Sequence, residues 1–202
     1  MKQGKRELNK LQCRSRILKV SRQLFTAKGY DNTTLDDIAR GAEISRATLY
    51  NYFSNKEDLL LGIAENALDE IRHLVNVELA DEPSSLVRLR HALESLALDS
   101  IRYIALTRRI FYLNATPGSE LHDTRRELMD LLEKLIREAQ EQGSLRRDLS
   151  AGELAESFFG VFLLAQFCWD DIDTYTPDEC RAKVGRTIDR VLSGLDASHE
   201  AN

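Results

Sequence analysis

Apolar residues recur along this chain at three- and four-residue steps, the period of amphipathic helices. Ile17, Val20, Leu24 and Phe25 mark a helix over residues 11–28, with Arg14, Arg16, Lys19 and Arg22 on its other faces. Gly29 supplies the stop and residues 30–32 the link. The polar, basic residues 1–10 are expected to form a flexible arm. Leu35, Ile38, Ala39 and Ala42 give a short second stripe, entered at Thr34, an N-cap with Asp37 as its capping-box partner. Glu43 and Ile44 break the period. Ser45 reads as the next N-cap, and Leu49 and Phe53 point that short helix inward. Ser54 and Glu57 form an S-x-x-E box that opens another helix.

That helix is expected over residues 54–79 through Leu59, Leu60, Ile63, Ala64, Ala67, Ile71, Leu74 and Val75. Its length, about 40 Å, suffices to connect two parts of the molecule mechanically. Pro83 lies beyond its end, and Ser84 or Ser85 caps a helix carrying Leu86, Leu89, Leu93, Leu96 and Ala97. A continuation or restart near Arg102 runs through Ile104, Ile110 and Phe111 to the stop at residues 116–118. Residues 119–142 form a further amphipathic helix with Leu121, Leu128, Leu132, Leu135 and Ile136, stopped by Gly143. A helix over 150–169 is apolar on nearly every side and must be covered on both. Pro177 sits in the first turn of a last helix that ends near Leu195, and the tail 196–202 is expected to be disordered.

Helix formers dominate and only 3 prolines and 10 glycines interrupt them, so the fold class is all-α. Three scattered cysteines argue against a disulfide framework and for a reducing cytoplasm. The N-terminus lacks an apolar segment, so no signal peptide is expected, and the longest apolar run is too short to span a bilayer. No membrane partner and no cofactor are expected.

The net charge of −5 argues against nucleic acid until it is divided along the chain. Residues 1–60 hold 12 Lys or Arg against 7 acids, while the remainder is strongly acidic. A basic end on an acidic body is the asymmetry of a protein that presents one end to phosphates. Two short helices on a tight turn, the second dressed with Arg46, Thr48, Tyr50 and Tyr52, suit a helix-turn-helix entering a DNA groove. Arg46 can donate twice to a guanine edge, and Ala47 can touch a thymine methyl. Lys56 adds charge at a helix N-terminus, where backbone N–H groups also attract phosphate.

The stretch TTLDDIARGAEISRATLYNYFSNKEDLL, preceded by LFTAKGY, resembles the TetR family of transcriptional regulators over residues 11–62. The remainder is similar in helix number and two-part layout. The resemblance implies an all-helical homodimer: a three-helix DNA-binding head over residues 1–54, and a helical effector-binding and dimerisation domain over 55–202. It implies phosphate contacts from Thr34, Thr48, Tyr52 and Lys56, a backbone or base contact from Tyr50, and base-edge reach for Arg46, Ala47 and Asn51. Glu43 stands where the family commonly has glycine, which implies modest backbone strain, and Leu35 replaces a residue that is sometimes basic and base-reading.

A small-molecule effector of unknown identity, hydrophobic or amphipathic, is expected among the body helices. Its candidate liners are Tyr103, Phe111, Tyr112, Asn114, Phe162, Gln166 and Trp169, with His91 or Arg102 as polar anchors. Phe158, Phe159, Phe162 and Leu163 with Val184, Ile188, Val191 and Leu195 could pair with a second copy in a four-helix interface. No catalytic constellation stands out. Glu70 and His73 have helical metal-ligand spacing without the second motif such sites use, so no metal is expected. The function expected is a cytoplasmic, ligand-responsive repressor binding a palindromic DNA operator as a dimer. The alternatives are a helical small-molecule binding protein, and an activator or DNA-organising protein of the same fold.

Overall fold

Local capping chemistry sets where each helix of the N-terminal part begins. The computed structural model describes residues 2–114, 120–168 and 176–194. Helix α1 spans Lys2–Lys28 and stops at Gly29, whose φ of +83° only glycine adopts freely. The expected arm at residues 1–10 is therefore corrected: from Lys2 it continues α1, because Lys, Arg, Glu, Leu and Gln are good helix formers and no proline intervenes. Helix α2, Leu35–Gly41, has the full capping box. The Thr34 hydroxyl accepts from the Asp37 N–H at 3.1 Å, and the Asp37 carboxylate accepts from the Thr34 N–H at 3.2 Å. Helix α3, Arg46–Tyr50, is capped by Ser45, whose hydroxyl accepts from the Thr48 N–H at 3.0 Å. Between them Glu43 takes φ +54°, the left-handed conformation anticipated for that position.

Helix α4, Lys56–His73, starts one residue later than Ser54 and Glu57 predict. Asn55 is its N-cap, accepting from the Asp58 N–H at 2.8 Å, and the Asp58 carboxylate accepts from the Ser54 N–H at 2.8 Å. Asn caps as well as Ser, and Asp58 reciprocates, while Glu57 instead accepts a 3.0 Å bond from the Tyr30 hydroxyl. A π-helical turn, Leu74–Glu78, extends α4, with the Leu79 N–H donating to the Leu74 carbonyl at 2.9 Å. Helix α5, Ser85–Arg102, is capped by Ser84 and broken at Tyr103. Then come α6 (Ile104–Asn114), α7 (Glu120–Glu141), α8 (Ala151–Cys168) and α9 (Pro177–Ser193). Thr176 and Glu179 form a capping box for α9, with Pro177 in its first turn as expected. Every element among the described residues is helical.

Two hydrophobic cores result. The first joins Ile17, Leu18 and Phe25 of α1 to Ile38 of α2 and to Leu49 and Phe53, and it continues into Leu59, Leu60 and Ile63 of α4 and Leu106 of α6. Fully burying one such Leu or Ile side chain is worth about 1.5–3 kcal/mol, so a three-helix head gains substantially from leaning on α4. The second core fills the body, where α5 packs on α7 and α9, and α7 packs on α4 and α8.

Phe158, Phe159, Phe162, Val184 and Ile188 belong to this second core. They are only 3–8% exposed within one chain, which corrects their expected place on a surface kept for a second copy. The reason is that α8 is covered by α7, and α9 by α5, inside the same chain. Leu163 and Val191 are half-buried against the same core. Leu195 lies outside the described residues.

Candidate nucleic-acid interface and ligand cavity

The short helix α3 presents its polar side because Leu49 and Phe53 take the inward positions, both almost wholly buried. Ala47 and Asn51 are exposed, and Tyr50 is 42% exposed, large for an aromatic ring with no core role. Arg46 is also exposed. Its Nε and one terminal nitrogen lie 3.3 Å from the two carboxylate oxygens of Asp36 on α2, and the other terminal nitrogen donates to the Tyr50 hydroxyl at 3.3 Å. The Tyr50 hydroxyl, and then Asp36, hold the Arg46 guanidinium above its ordinary pKa. The Thr48 and Ser45 hydroxyls share a 2.8 Å hydrogen bond at the helix entrance. Thr34 is exposed one element earlier, its hydroxyl also 2.9 Å from the Asp37 carboxylate.

Tyr52 and Lys56 are more embedded than their neighbours. Tyr52 packs against the head core, and a hydrogen bond with Cys13 of α1 raises its pKa. Lys56 donates to the Tyr30 carbonyl at 2.9 Å and sits 4.4 Å from the centre of the Tyr30 ring. That ring also meets Phe25 at 5.0 Å and the Arg109 guanidinium of α6 at 5.0 Å. Burial, followed by the bond to Glu57, pushes the Tyr30 phenol above the ordinary tyrosine range. Tyr30 thus ties the α1–α2 link, the start of α4 and α6 into one joint, which the sequence read only as a connecting link.

Below the head, a cavity of about 100 Å³ opens between α1, α4, α5, α6, α7 and α8. Three expected liners, Tyr103, Phe111 and Phe162, border it. Phe111 meets Phe159 and Phe162 at centroid distances of 5.7 and 5.5 Å, tilted edge-on. His91 is exposed on α5 and does not line the cavity, so its expected anchoring role is corrected. Arg102 is corrected too: it is exposed and borders a separate surface groove with Lys19, Asn66 and Glu70. Both follow from the helical rotation of α5, which turns Leu96, Asp99 and Ser100 to the cavity. The side chains of Tyr112, Asn114 and Gln166, and all of Trp169, lie outside the described residues.

The polar liners are instead Arg22, Asp99, Ser100, Thr107, Thr124 and Arg125. The sequence held a signal for two of them. Arg22 stands at core register on α1, four residues after Leu18 and three before Phe25, and Asp99 follows Ala92 and Leu96 in the inward stripe of α5. A charge inside an apolar stripe marks a buried ion pair or a ligand contact.

Comparison with known proteins agrees with this architecture. The family of bacterial regulatory proteins, tetR family, matches residues 17–63, and the C-terminal domain of SbtR-like transcriptional regulators matches residues 88–197. The HTH-type transcriptional repressor DhaR of Mycobacterium sp. strain GP1 is 26% identical over 161 residues, covering 76% of this chain and 78% of that protein. The transcriptional regulator AcuR of Cereibacter sphaeroides is 29% identical over 155 residues, covering 71% and 69%. A solved structure of Thermus thermophilus FadR, a TetR family transcriptional repressor in complex with lauroyl-CoA, is 30% identical and superposes with a TM-score of 0.61 over 89% of this chain and 93% of that one. The matches therefore span both the helix-turn-helix and the helical body, and the chain belongs to the TetR family of transcriptional regulators.

Proposed function

We propose that the chain is a ligand-released repressor, with two copies binding a (pseudo)palindromic operator through residues 1–54. Thr34, Arg46, Ala47, Thr48, Tyr50, Asn51, Tyr52 and Lys56 make the DNA contacts. Arg46, Ala47 and Asn51 read base edges, while Lys56 and the hydroxyls hold phosphates. The copies pair through α8 and α9 of residues 55–202, using faces that the protomer's own core leaves uncovered.

The observation that carries the reading is the shared wall between cavity and head. Arg22 of α1 and Ile63, Ala64, Ala67 and Ile71 of α4 line the cavity, and the same α4 begins at the Lys56–Tyr30 joint. An occupant that moves α4 therefore moves the head and changes the spacing of the two recognition helices on successive major grooves. The repressor names of DhaR and FadR support repression, and the lauroyl-CoA bound to FadR supports an effector with an apolar part. A cavity of about 100 Å³ is smaller than the ~150 Å³ engineered cavities that admit benzene. A longer ligand must push the walls apart, which is what release requires.

The test is fluorescence anisotropy of duplexes from the protein's own upstream region. Affinity should fall steeply with salt, as counterion release dictates. The double variant Arg46→Ala, Tyr50→Ala should lose its preference for that duplex over an unrelated one. Unchanged affinity and preference in the double variant would sink the assignment of the head.

A further inference from the structure

One polar wall of the cavity is also a bond between head and body. Arg22 of α1 is ion-paired with Asp99 of α5, and its guanidinium stacks 4.0 Å from the centre of the Tyr103 ring. All three line the cavity. The Arg22 Nε–H is buried without an acceptor, and so is the Nε–H of Arg125, which lines the same space. Two guanidiniums thus stand against one carboxylate in an otherwise largely apolar lining. A buried donor lacking an acceptor, beside an excess of positive charge, favours a ligand that brings both an acceptor and a negative charge.

The two partners of the ion pair differ in how readily each can be released. The Arg22 side chain is only 16% exposed and its Nε–H is buried without an acceptor, whereas Asp99 is 33% exposed and can turn to water. A competing anion therefore takes Arg22 and leaves Asp99 solvated. Arg22, Ile63 and Tyr103 also border the polar surface groove of about 380 Å³ formed with Ser15, Lys19 and Arg102. Arg22 thus stands between groove and cavity, where an anion arriving from the groove can reach it.

We infer that the cavity takes an amphiphile with one carboxylate-like anionic head on an apolar body, and that this head displaces Asp99 from Arg22, unlatching α1 from α5. This rests on the ligand-released reading above and adds to it the charge of the effector and the bond that the effector breaks. The apolar body lies among Leu96, Ile110, Phe111 and Phe162. Helix α1 then keeps its 2.7 Å ion pair from Arg14 to Glu65 on α4 but loses its polar tie to α5. The head is thereafter held by α4 and by its packing on α6.

The experiment uses the full chain with n-alkanoates of four to twelve carbons and the n-alkanols of matching length, read by calorimetry and by anisotropy of the upstream duplex. At the best-binding length the alkanoate should bind at least tenfold tighter than the alkanol and should weaken duplex binding. Arg22→Gln should reduce that preference to within about twofold. Asp99→Asn, a near-isosteric change, should tighten alkanoate binding severalfold because the internal competitor is gone, and it carries the test by itself if Arg22→Gln unfolds. Equal binding of acid and alcohol, a preference that survives in Arg22→Gln, or weaker alkanoate binding by Asp99→Asn overturns the proposal. If no alkanoate binds, the ligand class is wrong, while operator binding released by other compounds would still uphold the regulator. If the chain binds no operator, the regulator reading fails, yet the acid-to-alcohol ratio still reports on Arg22.

Discussion

The Arg46 guanidinium faces the Asp36 carboxylate through two nitrogen–oxygen pairs of 3.3 Å each, so the main base-reading candidate of α3 is bonded to α2 when no DNA is present. Both side chains are more than half exposed, and an exposed pair of this kind is worth about 0.2–1 kcal/mol. It is strong enough to pre-orient Arg46 and weak enough to yield to a guanine edge. Asp36→Asn should free the guanidinium and remove a charge that repels phosphate. Operator affinity should rise about threefold or more at low salt, with thermal stability unchanged. Arg46→Ala should cost about 1–3 kcal/mol of operator binding and relax the base preference at one position. Anisotropy against single-base operator variants checks both.

Lys56 has a structural role that a phosphate contact alone would not have. Its ammonium bonds to the Tyr30 carbonyl at 2.9 Å and lies over the Tyr30 ring. Lys56→Met should therefore lower stability without DNA by about 1–2 kcal/mol, as well as weakening operator binding. A melting temperature equal to that of the unsubstituted chain would show that the bond to Tyr30 contributes nothing.

Gly62 of α4 packs tightly against Leu18 of α1 and against Phe53. A methyl group there would stand 2.9 Å from Leu18 Cδ2 and 2.9 Å from Phe53 Cε1, both in the head core. Alanine would gain about 0.5–1 kcal/mol in helix propensity, but overpacking of this kind costs about 1–3 kcal/mol. Gly62→Ala should be destabilising on balance, in urea or thermal unfolding, and a more stable variant would show that the α1–α4 contact relaxes freely.

Glu43 is the opposite case. At φ +54° a side chain costs about 1–2 kcal/mol, partly offset by the greater entropy that glycine loses on folding. Glu43→Gly should stabilise the head by about 0.5–1 kcal/mol. Hydrogen exchange of the α2 and α3 amides should slow correspondingly, and faster exchange would count against the strain.

The capping box of α2 gives a pH dependence of defined sign. Hydrogen bonds from the Thr34 hydroxyl and N–H, with Lys28 nearby, hold the Asp37 carboxyl below its usual 3.8. A depressed folded-state pKa means that the stabilisation is complete above the unfolded value and is lost as pH falls through the folded one. The stability difference between the unsubstituted chain and Asp37→Asn should be constant from pH 7 to about pH 5 and shrink below about pH 4. An identical difference at pH 3, measured in urea, would contradict the assigned cause.

Much of the head was legible from local chemistry. Thr34, Asp37 and Ser45 cap as their side chains dictate, since a cap needs only groups a few residues apart. The exposed face of α3 follows from Leu49 and Phe53 alone. Where two local solutions competed, the sequence could not choose between them: Ser54 with Glu57, and Asn55 with Asp58, both satisfy the rule, and Tyr30, 27 residues before Glu57, drew Glu57 away. The basic segment 2–10 shows the reverse, a stretch without an apolar stripe that is nevertheless helical, on propensity.

The sequence by itself determined that the chain is helical, where α2 and α3 are capped, and that a basic helix-turn-helix heads an acidic body, because period, caps and charge are properties of near neighbours. Only the tertiary structure decided which faces meet. It buried Phe158 and Phe162 within one chain, turned His91 outward and Asp99 inward on the same helix, and brought Arg22 to Asp99 across 77 residues. Those outcomes depend on the rotation and packing of whole helices, and no pattern within a single helix specifies which partner will cover it.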